Sequence, residues 1–385
     1  MDRILNFQMA GRLIIGAGAL AELADALKHL GVQKPLLVTD PGLVKAGLAG
    51  RVQAVLDAAS VPYAVYDKVE PDPRVEIVAE CHQAAVEAGC DAFVGVGGGS
   101  SIDIAKVASI LTTNPGNILD YVGIGKIPKK GAPIIAIPTT AGTGSEVTPI
   151  AVLSDTQAQL KKGVVSDFLY PDLALVDPEL TLGLPPHITA ATGIDTLTHA
   201  IEAYTNKHAH PFIDAFALEA IRLVGRSLRI ACHTGTDLTA RTEMARASLL
   251  GGLCLGSVNT AAVHALAYPL GGSYHVPHGV ANSLLLPYVM RFNLPSQPQK
   301  FADIAIALSV DPTGQTTAQL AEAAVEATVQ LSADCGIVSQ MRDLNIPENA
   351  IEPMAKAAMQ VTRLLNNNPR EVTEADAAAI YREAW

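Results

Sequence analysis

The sequence predicts an α/β domain built on a parallel sheet, followed by an all-helical domain. Two observations carry this. Up to residue 184, short apolar strand-like runs alternate with helix-length amphipathic segments, the pattern of a parallel sheet covered by helices. Beyond Leu184-Pro185-Pro186 the strand-like runs cease and long helical patterns take over. The double proline sets the boundary, giving domains 1–184 and 185–385. A chain of 385 residues has room for both, and 49% hydrophobic against 17% charged residues argues for large cores rather than disorder.

Taken in order, Arg12–Ile15 is a short strand that runs into GAGAL. Those glycines lack the G-x-G-x-x-G spacing of the dinucleotide fingerprint and read as a turn. Ala19–His29 has helical apolar spacing, Pro35–Thr39 is a buried strand ending at Asp40, and Leu43–Ala58 is an amphipathic helix. Tyr63–Tyr66 is a strand, Val75–Ala88 a helix, Asp91–Val96 a strand leading straight into GGGSS, and Ile134–Pro138 a further strand. In the second half, helical periodicity covers Thr189–Tyr204, His210–Arg226, Asp237–Gly252, Thr260–Ala267, Lys300–Leu308, Thr317–Cys335, Ile351–Leu364 and Glu374–Glu383.

Composition narrows the function classes. A net charge of −11 with no basic stretch argues against a nucleic-acid partner. Five widely spaced cysteines without a C-x-x-C argue for reduced thiols, hence a cytoplasmic protein, and against a disulfide or thiolate-zinc scaffold. The start lacks a signal-peptide core, and no apolar run reaches the roughly 18 residues of a membrane span.

Two strand ends in the first half carry ligand-binding chemistry. Gly97-Gly98-Gly99-Ser100-Ser101 lets the backbone turn tightly, and the helix after it points free N–H groups back at the turn. This favours a phosphate or pyrophosphate seat over a plain turn capped by serine. Pro138–Thr148 follows the next motif strand and is crowded with hydroxyls and small residues suited to ribose, phosphate and carboxamide oxygens. Neither stretch is a Walker A loop. Asp40 has two readings of equal weight: an acceptor for a ribose diol that disfavours a 2′-phosphate, or a turn former before Pro41-Gly42.

In the second half, GIDTLTHAIEAY at 193–204 places Asp195 and His199 one helical turn apart on one face. By itself the pair reads as a metal site or as a buried histidine satisfied by a carboxylate. His264 and His278, in similarly apolar and small-residue surroundings, supply two more ligands and favour the metal. Three imidazoles and one carboxylate suit Fe(II) or Zn(II). His275 is either an outer partner of this set or the outer face of its loop.

Together these motifs resemble the iron-dependent (group III) alcohol dehydrogenase family. The resemblance runs through GAGAL, VTD at 38–40, GGGSSIDIAK at 97–106, PTTAGTGSEVT at 138–148, DPELTLGLP at 177–185, ATGIDTLTHAIEAY at 191–204, HALAYPLGGSYHVPHGVANSLLLP at 264–287 and NNNPREVTEADAAAIYREAW at 366–385. It implies a Rossmann-like N-terminal domain and an all-helical C-terminal domain of dehydroquinate-synthase-like fold. It implies a divalent metal, Fe(II) before Zn(II), on Asp195, His199, His264 and His278. It implies NAD on Asp40, Gly98, Gly99, Ser100, Thr139, Thr140, Thr143, Thr148, Lys161 and Leu180, with metal and cofactor facing each other across the interdomain cleft. The expected reaction is hydride transfer between a metal-bound alcohol or aldehyde and NAD(H), in a homo-oligomer taken to be a dimer. Aliphatic Ile150 and Leu255, placed by the resemblance, imply an apolar pocket.

One departure stands out. Where many members carry a histidine four residues after the third metal ligand, this chain has Tyr268, a poorer base near neutral pH. Tyr268 or His275 then becomes the candidate for moving the proton. Rival readings are a lyase of dehydroquinate-synthase type, disfavoured because the metal motifs hold no Lys or Arg, and a hydroxyacid-oxoacid transhydrogenase.

Overall fold

A computed structural model of the chain describes residues 4–157 and 160–385. The chain divides into two compact units, Met1–Gly183 and Leu184–Trp385.

In the first unit the elements run β1 (Arg12–Ile15), α1 (Leu23–His29), β2 (Pro35–Val38), α2 (Pro41–Lys45), α3 (Leu48–Ala58), β3 (Ala64–Tyr66), α4 (Val75–Ala88), β4 (Ala92–Gly97), α5 (Gly99–Ile110), β5 (Gly123–Ile124), β6 (Ile134–Pro138), β7 (Ile150–Asp155), β8 (Leu160–Val165) and β9 (Leu173–Val176). Six strands form one sheet in the order β1-β9-β6-β4-β2-β3, every pairing parallel. All residues of β2, β4, β6 and β9 are buried, which is why they read as continuous apolar runs rather than as alternating ones. The helices cover two apolar layers, one around Phe93, Ile104 and Val107 and the other around Val94, Ile135 and Leu175.

Three features of this first unit depart from the sequence reading. The predicted helix over Leu43–Ala58 is two helices, broken at Gly47, which takes φ +76°. A second, three-stranded sheet, β5-β8-β7, is present, with β7 and β8 antiparallel. β9 joins the main sheet between β1 and β6, although LALV is too short to stand out between loops.

The second unit contains α6 (Pro186–Thr205), α7 (Pro211–His233), α8 (Leu238–Val258), α9 (Ala262–Tyr274), α10 (His278–Asn293), α11 (Pro298–Ala307), α12 (Thr317–Asp334), α13 (Ile351–Ala358), α14 (Thr362–Leu365) and α15 (Glu374–Ala384). No strand occurs among its described residues. The sequence reading does not include α10. Pro277 precedes it, Gly279 lies in its first turn and Pro287 lies inside it, and these residues mask helical periodicity. No single helix among the described residues is long and apolar enough to cross a membrane; α8 and α9 together reach that length, but they are bent by 102°.

One close approach in the first unit is testable. A Cβ on Gly131, just before β6, would lie 2.2 Å from the Ser109 carbonyl oxygen of α5, so backbone must move to admit it. Gly131→Ala is expected to cost about 1–3 kcal/mol and to lower the calorimetric melting temperature by several degrees. Gly50→Ala is the control. Gly50 is exposed within α3, and a Cβ there meets nothing within 4 Å, so this variant should melt no lower than the unaltered chain.

Candidate functional site

β2, β4 and β6 are neighbours in the parallel sheet, so their carboxyl ends deliver three segments side by side. At the end of β4, Gly97 takes φ +155° and its carbonyl accepts the Thr139 N–H of the β6 loop at 2.9 Å. A Cβ on Gly99 would stand 2.8 Å from Thr143 Cγ2, and one on Gly98 would stand 3.6 Å from Thr140 Oγ1. The glycine turn and the hydroxyl loop therefore pack backbone against side chain, and Gly99 is what allows the closest approach. Gly98 is the N-cap of α5 and supplies no side-chain cap, while Ser100 lies inside the first turn. The serine-cap reading of this turn is thus not what the chain adopts. The first-turn N–H groups keep the anion-seat character that the sequence suggests.

The other expected cofactor residues fall in the same unit with different surroundings. Asp40 is the N-cap of α2, its Oδ1 accepting the Leu43 N–H at 3.0 Å, so the turn-forming role is real. Thr139 and Thr148 are buried. Leu180 is a buried core side chain on the turn Pro178–Thr181. Lys161 belongs to β8, where its Nζ pairs with Asp72 at 2.5 Å and donates to Ser154 Oγ at 3.0 Å. Ile150 is half-buried at the start of β7.

Lys106 closes the GGGSSIDIAK motif, and the sequence assigns it no role. It is fully buried. Its Nζ donates to Ser145 Oγ (2.9 Å), to the Thr148 carbonyl and hydroxyl (2.9 and 3.2 Å) and to the Ile150 carbonyl (3.0 Å). Asp103, one turn earlier on α5, accepts the Ser145 hydroxyl at 2.5 Å and the Val152 N–H at 2.8 Å. Two side chains on the helix that leaves the glycine turn thus clamp the hydroxyl loop. Burial pulls the Lys106 ammonium down to about 8, with the charges of Asp103 and Glu146 opposing the shift.

Glu146 is buried beside this clamp. Burial pushes its carboxyl up to about 7, against an ordinary value of 4.5, and its own backbone N–H and Lys106 offset this only in part. Between those two pH values the folded chain holds a proton that the unfolded chain has released, so Glu146 lowers stability as pH rises through that window.

The second unit gathers the four predicted ligands. His199, His264 and His278 bring their Nε2 atoms to 3.9, 3.7 and 4.0 Å from one oxygen, Asp195 Oδ1. Asp195, His199 and His264 are buried and offer ligand atoms all within 4.8 Å of one another. His278 is the open side of the group, with 38% of its side chain exposed. The His199 and His264 rings stack at 4.9 Å between centroids. Asp195 and His199 come from α6, His264 from α9 and His278 from the first turn of α10.

The electrostatics suit a cation. Burial favours the neutral forms here and pulls His199 down to about 4, so its lone pair is available at neutral pH. Burial also acts against the Asp195 carboxylate, but the three imidazoles and the Asn282 amide outweigh it and hold the carboxyl below its usual range. The buried His199 Nδ1 has no hydrogen-bond partner among the described residues, and Nε2 faces the group. Three imidazole nitrogens and one carboxylate oxygen are the donor set of a divalent transition metal, and these residues fit one.

Two members of the site escaped sequence reasoning. Asn282, one turn after His278, donates its Nδ2 to Asp195 Oδ1 (2.7 Å) and sits 3.0 and 3.1 Å from the Nε2 atoms of His264 and His278. Glu202, three residues after His199, accepts from His264 Nδ1 at 2.6 Å. Their spacings, i+4 and i+3 from a ligand on a helix, were the available signal. Tyr268 lies one turn after His264 on α9 and is half-buried. His275 is exposed at the C-cap of α9 with φ +55°. Leu255 is buried near the end of α8.

A family model described as "Iron-containing alcohol dehydrogenase" matches residues 10–178, and one described as "Fe-containing alcohol dehydrogenase family, C-terminal" matches residues 189–385. The chain is similar to long-chain-alcohol dehydrogenase 1 of Geobacillus thermodenitrificans, 44% identical over 375 residues that span 96% of this chain and 94% of that protein. Among solved structures it is similar to a 1,3-propanediol oxidoreductase, with 42% identity, a TM-score of 0.97 and full coverage of both chains. It is also similar to a sulfoacetaldehyde reductase from Bifidobacterium kashiwanohense in complex with NAD+, with 33% identity, a TM-score of 0.90, and coverage of 100% of this chain and 99% of that one.

The pH behaviour of Glu146 is open to a direct check. Glu146→Gln is neutral at every pH. It is expected to melt above the unaltered chain at pH 8 and level with it at pH 4.5, as read by thermal melts of the ligand-free protein.

Proposed function

The chain belongs to the iron-containing alcohol dehydrogenase family, and on that premise we propose how its residues carry the reaction. It is an oxidoreductase that interconverts an alcohol and an aldehyde with a nicotinamide cofactor. The observation that carries the residue assignment is the convergence of three imidazole Nε2 atoms within 4.0 Å of Asp195 Oδ1.

Asp195, His199, His264 and His278 hold a divalent metal, Fe(II) in first place and Zn(II) in second. NAD lies on the segments at the ends of β2, β4 and β6, with Asp40, Gly98, Gly99, Ser100, Thr139, Thr140, Thr143 and Thr148 as its contacts and Lys161 and Leu180 as further ones. The NAD+ complex of the sulfoacetaldehyde reductase supports the cofactor. When bound, a divalent cation favours the deprotonated alcohol and polarises the aldehyde carbonyl in the reverse direction, while the nicotinamide takes or returns hydride.

The chain's own groups do the rest. The first turn of α5 presents N–H groups to the pyrophosphate, and the Lys106–Asp103 clamp keeps the hydroxyl loop in register with them. Asp40 accepts from a ribose diol with the oxygen that the α2 cap does not use, and so disfavours a 2′-phosphate. We assign the proton path to Tyr268 rather than His275. Tyr268 shares the face of α9 with His264, whereas His275 stands exposed at the helix end. A dimer in the cytoplasm is the working assembly we propose, checked by light scattering and cell fractionation.

Two substitutions test the assignment. His264→Ala is expected to lose both bound metal and turnover while titrating NAD with unchanged affinity; full turnover with metal loss verified would sink the metal reading. Tyr268→Phe is expected to lower kcat by about 100-fold, with KM for NAD unchanged, and Tyr268→His to move the pH optimum of alcohol oxidation toward neutrality. A panel of straight-chain alcohols, diols and aldehydes, followed by nicotinamide absorbance, reads the substrate range.

A further inference from the structure

The corner between α8 and α9 is strained. Asn259 takes φ +60° and ψ 179°, a region close to glycine-only that costs another residue on the order of 1–3 kcal/mol. α8 and α9 meet there at 102°. Such strain persists only where neighbours over-determine the backbone. Asn206 Nδ2 donates to the Val258 and Asn259 carbonyls at 2.9 and 3.2 Å, and Asn367 Nδ2 to the Thr260 carbonyl at 2.8 Å. Glu202 accepts the N–H groups of Ala261 and Val263 at 3.0 and 2.6 Å.

Of these three side chains, Glu202 is the one that reaches the imidazole cluster. Its Oε2, which takes the Ala261 N–H, also lies 2.6 Å from His264 Nδ1. With Nδ1 as the donor, the lone pair of His264 is on Nε2, the atom 3.7 Å from Asp195 Oδ1. Capping a helix start needs no imidazole, and satisfying a core imidazole needs no strained corner. One buried oxygen couples the two.

We propose that Glu202 is the positioning residue of the metal centre. It locks the strained corner that sets where α9 begins, and it holds His264 as the Nδ1–H tautomer with Nε2 aimed at the cluster. This rests on the reading of the cluster as a metal centre. α6 then supplies two ligands and the orienting group for a third, since Glu202 lies one turn beyond His199.

The test is Zn(II) affinity, by chelator competition on metal-stripped chain, for Glu202→Ala and Glu202→Gln, with His264→Ala as control and the visible spectrum of Co(II)-loaded protein as a second readout. Glu202→Ala is expected to weaken Zn(II) binding by about 10- to 100-fold and to shift the Co(II) bands, with NAD affinity unchanged. Glu202→Gln keeps one acceptor oxygen for His264 and should recover part of the loss. A folded Glu202→Ala chain that binds Zn(II) like the unaltered one overturns the proposal. If that variant does not fold, wild-type Zn(II) affinity in Glu202→Gln overturns it instead. If His264→Ala binds Zn(II) as tightly as the unaltered chain, the metal-centre reading itself has failed; a loss there without one in the Glu202 variants overturns the positioning role alone.

Discussion

A single carboxylate oxygen, Asp195 Oδ1, is the point on which the helical unit is organised. A carboxylate buried among apolar helices costs several kcal/mol unless it is matched by partners, and here the partners come from three helices: His199 from α6, His264 from α9, and His278 and Asn282 from α10. Each helix must arrive at a set distance and rotation for the group to close. The packing shows how tightly this is held. A Cβ on Gly279, next to His278, would lie 2.8 Å from the Ala191 carbonyl of α6, so α10 starts against α6 backbone. The sharp α8–α9 corner brings in His264, and strain at Asn259 is tolerated because side chains from α6, from its C-cap Asn206 and from the segment after α14 hold it.

The α/β unit solves a similar problem with the opposite charge. Lys106 is a buried cation whose ammonium donates to oxygens of the 145–150 segment, and Asp103 holds the same segment from one turn away. Most buried lysines are a liability. This one makes two loops at neighbouring strand ends a single rigid piece. Pre-organisation of that kind limits the entropy lost when a long flexible dinucleotide binds. In both units the chemistry-bearing segments are thus held by a buried charge whose partners are all polar.

The fold class was legible because its signals are periodic and redundant. Buried parallel strands read as apolar runs, and the change of text after Leu184 is abrupt. α10 was not legible, since two prolines and a glycine obscure its period, and the β7–β8 hairpin was lost because its residues are largely half-buried and carry no clean alternation. Of the site, the four metal candidates stood out as rare polar residues in apolar text. Glu202 and Asn282 did not, although each lies about one turn from a ligand, because a lone acid or amide on a helix has many ordinary uses. Lys106 at the end of GGGSSIDIAK carries no role in the sequence reading, and only its burial and its contacts reveal one.

By itself, then, the sequence determined the two-part architecture, the glycine-rich turn at the end of β4, and the pairing of Asp195 with His199. All three depend on residues close in the chain, where helix and strand periods translate spacing directly into geometry. Tertiary structure decided what depends on distant residues. It brought His264 and His278, some seventy and eighty residues on, to the same oxygen. It set the His264 tautomer through Glu202, and it turned Lys106 from a helix residue into a clamp. Those outcomes rest on how helices cross and where their ends are capped, and spacing along the chain does not encode either.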